Sequence, residues 1–127
     1  LGDLFAQAAL ETTTDVSQEK LESIKKKPLR APLIIITIAK HVAHPKIPEI
    51  ELSLSAAAAT QNMLLAAFAL GVGAMWRTGA MAYSPIVSAG LGLEKHEKIV
   101  GFLYLGATQG AQKPPREHSV DEFFHEW

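Results

Sequence analysis

The sequence predicts a single domain of mixed helix and strand, and three observations carry that reading. Two β-branched runs almost free of polar residues, 31–39 and 99–105, have the composition of buried strands. Between them, from Leu52 to Trp76, no residue is charged, and that stretch is far too long for one strand. Apolar residues at Leu1, Leu4, Phe5 and Ala8 open the chain at helical spacing. At 127 residues there is material for one core, so 1–127 is one domain, with 107–127 as a C-terminal arm.

Each element has its own grounds. The helical pattern is already under way at Leu1, which is not Met, so the sequence reads as a fragment whose natural N-terminus lies upstream. On that reading, the lack of a leader says nothing about location. The first helix spans residues 1–10, and the T-T-T-D run at 12–15 breaks it. A second starts near Asp15 or Ser17 and runs to about Lys27, with Leu21 and Ile24 inward and Glu22 placed to pair with Lys25 and Lys26. The basic run Lys25 to Lys27 is expected to be a solvated helix end rather than a phosphate site. Pro32 is permitted at the start of the first strand, and Gly106 closes the second. Both strands are expected to be covered on two faces. Two strands make no stable sheet, so others must come from weaker segments, upstream chain or a partner subunit.

The central helix is expected over residues 48–70, a rod of roughly 33 Å, entered at Pro48 and buried on most sides. Ala56 to Ala59, Ala66, Ala67 and Ala69 let a second backbone approach, which suggests pairing with its counterpart across a dimer interface. Gln61 and Asn62 either bond across that interface or within the chain. No membrane span is predicted: Met63 to Trp76 falls short of the roughly 20 apolar residues a bilayer requires, and Thr60-Gln61-Asn62 would be costly in lipid. Ser84-Pro85 starts another helix, ending near Gly90 or Gly92. After the irregular tail at 107–115, Ser119-Val-Asp-Glu122 is a capping-box pattern. Phe123, Phe124 and Trp127 predict that this arm docks, with a partner subunit as a candidate.

Composition removes several functions. Lys plus Arg is 12 and Asp plus Glu is 13, a balance that argues against nucleic-acid binding by bulk charge. Without cysteine there is no thiolate metal site, iron–sulfur centre or cysteine nucleophile. His41 and His44 have no third ligand at a diagnostic spacing, so no metal site is predicted. G-x-S-x-G is absent, and Tyr104, Glu94 and Glu97 form no visible acid–base pair. No side chain is therefore assigned as catalytic. The glycine-rich stretch from Gly71 to Gly79 follows a helix and lacks both the dinucleotide and the P-loop pattern. It reads as a helix end followed by an extended segment presenting Trp76, Arg77 and Thr78, which would suit a planar ligand with polar edges. The alternative is a tight turn whose Trp fills the core.

Several blocks together resemble the bacterial nitroreductase family, in particular its short NAD(P)H nitroreductase-like members. They are R-A-P-L-I-I-I-T-I-A-K at 30–40, H-P-K-I-P at 44–48, L-G-V-G-A-M-W-R-T-G at 70–79, S-P-I-V at 84–87 and K-I-V-G-F-L-Y-L-G at 98–106. Their order and spacing carry the likeness, which covers about residues 1–110. The resemblance implies an α+β fold: a mixed or antiparallel central sheet flanked by helices, with the long helix at the interface of a domain-swapped homodimer. It implies an FMN-dependent oxidoreductase in the cytoplasm, passing hydride from NADH or NADPH by a ping-pong route to nitroaromatic, quinone or related small-molecule acceptors. It places Trp76, Arg77, Thr78 and Gly79 along the flavin, and Lys113 and Arg116 near its phosphate. Ala66, Ala67, Phe68, Ala69, Leu70 and Gly71 would contact the nicotinamide nucleotide. The family's N-terminal arginine-rich motif has no counterpart here. The rival reading is a non-enzymatic helical homodimerisation module with Trp76 in its core.

Overall fold

A computed structural model of the chain describes all residues except 14, 111–113, 115–116 and 127. Helix α1 (Gly2–Thr12) is followed by α2 (Gln18–Lys26), whose N-cap Ser17 accepts a hydrogen bond from the Lys20 amide. A 3₁₀ turn, Lys27–Arg30, leads into β1 (Leu33–Lys40). The long α3 (Glu49–Ala69) descends to β2 (Gly73–Arg77), a 3₁₀ turn over Ala80–Ala82 and the short α4 (Pro85–Gly90). Strand β3 (Glu97–Gly106) closes the sheet, and a last 3₁₀ turn covers Val120–Glu122.

The fold class is α+β: the three strands lie in the order β1-β3-β2, all neighbours antiparallel. The third strand comes from within the chain, from the glycine-rich stretch that was expected only to be extended. Because β3 is central, it is the best-covered strand, with Phe102 and Leu103 almost fully buried. Its register against β1 slips between Thr37 and Ile38, which face Gly101 and Ile99, so that Val100 is the extra residue of a bulge. On one sheet face Phe102 meets Phe5 of α1 edge to face, with centroids 5.3 Å apart. Ala8, Ala9, Ile24, Ala82 and Val87 complete that core. Helix α3 crosses the other face and touches all three strands.

Three expectations are corrected. Strand β1 is not covered on both faces; as an edge strand it is mostly half-buried, with Leu33 and Ile38 exposed. Helix α3 is not buried on most sides. One helix lying on a three-stranded sheet can hide only one stripe, and only Thr60 and Ala67 are fully buried. Ile50, Leu54, Leu65 and Phe68 remain exposed, and α3 has the length and apolar composition to cross a membrane. Finally, Ser119 makes no side-chain capping bond. Of the aromatics expected to dock, Phe123 and Phe124 are exposed on this single chain, and Trp127 lies outside the described residues.

Candidate functional site

The site is built where β2 runs out. Successive residues of a strand point to opposite faces, so Trp76 and Arg77 cannot reach the same side of the sheet. Trp76 lies opposite Leu103 and leans over Gly101, its indole N–H donating to the Val100 carbonyl at 3.3 Å. The absence of a side chain at Gly101 is what admits the ring, because a Cβ there would overlap Trp76 Nε1. Half-buried, Trp76 therefore serves the core and also lines a cleft. That cleft, about 860 Å³, runs between α3 (Ile50, Ser53, Leu54), Thr78 and Tyr83. Its size falls in the ordinary range of small-molecule sites.

After Thr78 the backbone turns at Gly79, whose φ of +71° favours glycine. Among the described residues the Gly79 amide donates to no protein group, so it is free for a ligand. Thr78 lines the Trp76 cleft and also a second cleft of about 440 Å³ on the opposite face, which Gly79 lines as well. Arg77 belongs to this second cleft. Its Nε lies 3.2 Å from Met75 Sδ, and Lys27, Arg30 and Tyr104 share the cleft over a floor of Phe5 and Phe102. Burial pushes the Tyr104 phenol up from its ordinary value, and the positive Arg77 and Arg30 oppose that rise. The basic run at 25–27 divides its work. Lys25 pairs with Glu22 at 3.4 Å, whereas Lys27 lines the cationic cleft.

The other predicted residues lie elsewhere. Ala66 to Ala69 end α3, and Leu70 caps it. Gly71, at φ +69°, lines a separate small cleft with Phe68 and Thr108. Apart from Ala67, residues 66–71 are exposed, and among the described residues they do not line the Trp76 cleft. Lys113 and Arg116 fall outside the described residues. Arg30, Ser53 and Tyr83 were missed by sequence reasoning. No local pattern marks them: Arg30 and Ser53 reach their clefts through the packing of distant elements, and Tyr83 follows the short turn after Thr78.

At the rim of the Trp76 cleft, Glu97 holds its carboxyl below the usual range. The Glu94 amide donates to it at 3.0 Å, burial works against this, and Lys40 at 3.7 Å assists.

The family model described as Nitroreductase family matches residues 2–107. The chain belongs to the nitroreductase family. It is 41% identical over 106 residues to the Escherichia coli (strain K12) protein named "Putative NAD(P)H nitroreductase YdjA", covering 84% of this chain and 57% of that protein. The chain thus spans little more than half the length of this relative. Among solved structures, the nitroreductase-like family protein from Bacillus cereus superimposes with a TM-score of 0.74 at 23% identity, over 98% of this chain and 66% of that one. A Bacteroides fragilis nitroreductase with bound FMN gives 0.63 at 21% identity, over 96% of this chain and 67% of its own. These likenesses establish the nitroreductase fold for residues placed by the sheet and α3.

Proposed function

We propose that this nitroreductase-family chain forms part of an FMN-dependent oxidoreductase that takes hydride from NADH or NADPH and passes it to a nitroaromatic, quinone or similar acceptor. The observation that carries the reading is one bend at which Trp76 and Thr78 line a cleft of about 860 Å³, while the next residue, Gly79, turns an amide with no protein partner among the described residues toward the cleft on the opposite face. The residues fit the group. Trp76 supplies a flat apolar wall and Thr78 a hydroxyl in the larger cleft, and Thr78 with the free Gly79 amide and Arg77 supplies polar groups in the smaller one. The name of the relative and the FMN of the Bacteroides structure support the same assignment.

When bound, FMN supplies the hydride chemistry, and the protein supplies position and electrostatics. Trp76 is fixed by its bond to Val100, so the wall it offers is preorganised. Thr78, which lines both clefts, orients the ring edge, and Gly79 sets the turn that follows it. Arg77, together with Lys27 and Arg30, contributes positive charge from the opposite face of the sheet, which favours any anionic form held nearby. Lys113 and Arg116 are assigned to the FMN phosphate and Ala66 to Gly71 to the nicotinamide nucleotide, both on the family resemblance. The partner is a second copy, with Leu65, Phe68 and the exposed alanines Ala58, Ala59, Ala66 and Ala69 of α3 as the shared face. Neither nucleic acid nor membrane is a partner in this proposal. A reduced nicotinamide co-substrate places the activity in the cytoplasm.

Steady-state oxidation of NADH and NADPH by the complete protein, with a nitroaromatic or a quinone as acceptor, tests the proposal. Parallel double-reciprocal lines are expected for alternating occupancy of one site. Arg77→Ala should lower flavin retention or turnover about tenfold, equivalent to roughly 1.4 kcal/mol. Unchanged flavin content and unchanged oxidation would remove Arg77 from the site.

A further inference from the structure

A second chemical grouping joins the Trp76 cleft, which Ser53 lines, to a neighbouring pocket lined by His41 and Glu49. His41 follows β1, and its backbone amide donates to the His96 carbonyl at 2.7 Å, which fixes the residue against the start of β3. Its imidazole is nine-tenths buried, with Nε2 at 2.7 Å from Ser53 Oγ of α3. On the far side of the ring, Glu49 Oε1 comes within 3.0 Å of Nδ1. The carboxylate is off the N–H direction, so Nδ1 remains a buried atom without a formed hydrogen bond. Glu49 is largely exposed and can rotate into line without disturbing the core. A carboxylate at Nδ1 favours the tautomer that carries the proton there, which leaves Nε2 to accept the Ser53 hydroxyl proton. Hydroxyl, imidazole and carboxylate therefore stand in the order of an activated serine.

We propose that Ser53, His41 and Glu49 form a nucleophilic site that accepts acyl groups from small activated carboxylic esters. Ser53 lines the cleft, where Ile50, Leu54 and Ala57 provide an apolar wall for the acyl chain. Lys95 and Lys98 line both this cleft and the pocket around His41, so the lining carries positive charge that favours an oxyanion. The steps balance without a further reactant. Ser53 Oγ bonds to the carbonyl carbon while its proton passes to His41 Nε2. The tetrahedral adduct expels the alcohol oxygen, which takes that proton. Water then attacks the acyl-serine, giving its proton to Nε2, and the free acid leaves as the proton returns to Oγ. The net change is ester plus water to acid plus alcohol. Glu49 is a positioning residue, acting through His41.

The test needs no flavin. The full chain is incubated with a fluorophosphonate probe and, separately, with p-nitrophenyl butyrate. One covalent adduct mapped to Ser53 is expected, lost in Ser53→Ala. His41→Gln should slow both labelling and hydrolysis by about a hundredfold, the scale of general-base assistance. Glu49→Gln should lower kcat while KM holds, and Glu49→Asp should restore part of the loss. Circular dichroism of each variant establishes that it is folded. No adduct, an adduct on another residue, or labelling of Ser53 that His41→Gln leaves unchanged would overturn the proposal and reduce the trio to a staple between β1 and α3.

Discussion

Gly101→Ala is expected to destabilise the fold by about 3 kcal/mol, at the upper end of the usual range for an overpacked core. The reason is local. Position 101 lies under the Trp76 indole, and a methyl group there must displace a ring that is tied to the Val100 carbonyl. Trp76→Ala should itself cost roughly 3 kcal/mol, because it removes a half-buried aromatic from the sheet face under α3. The double variant Trp76→Ala/Gly101→Ala should lose clearly less than the sum, since the added methyl then enters the space the indole has left. Urea unfolding of the four proteins measures this coupling. Strict additivity would show that Gly101 is not reserved for the tryptophan.

The other large effect belongs to the opposite face. Phe102→Ala should cost about 3–5 kcal/mol, the range for truncating a buried aromatic. Phe102 is 2% exposed and packs on Phe5, so its loss empties the contact that joins α1 to the central strand. Tyr83→Ala is a suitable control, because Tyr83 is 79% exposed and should change stability little. Equal midpoints for the two variants in denaturant would contradict the assignment of the core.

These expectations show how far the residues alone could speak. The long uncharged run and the two β-branched runs fall where α3, β1 and β3 are found, because each pattern is strong and local. Strand β2 escaped notice as a strand for a physical reason. Its five residues begin with glycine and contain no β-branched side chain, and pairing with β3 is what makes them a strand. The burial of α3 was overestimated because an apolar composition does not say which side of a helix is covered. Trp76 was read as either ligand wall or core. The bond to Val100 and the fit over Gly101 tie its half-buried ring to the sheet, and the same ring lines a cleft with Thr78. Trp76 and Arg77 are adjacent and were grouped as one contact set, but strand alternation sends them to different clefts. The His41–Ser53 contact has no sequence signature, since the turn between β1 and α3 brings the two together.

The bend from Trp76 to Gly79 is proposed to receive a flavin. The direct measurement is the flavin content of the complete protein, purified without added cofactor and then titrated with FMN after stripping. The expected result is a yellow protein that releases FMN on denaturation and takes back one FMN per chain, with retention weakened when Thr78 or Gly79 is replaced. A folded, colourless dimer that cannot be reconstituted with FMN would contradict it and leave a helical association module in its place.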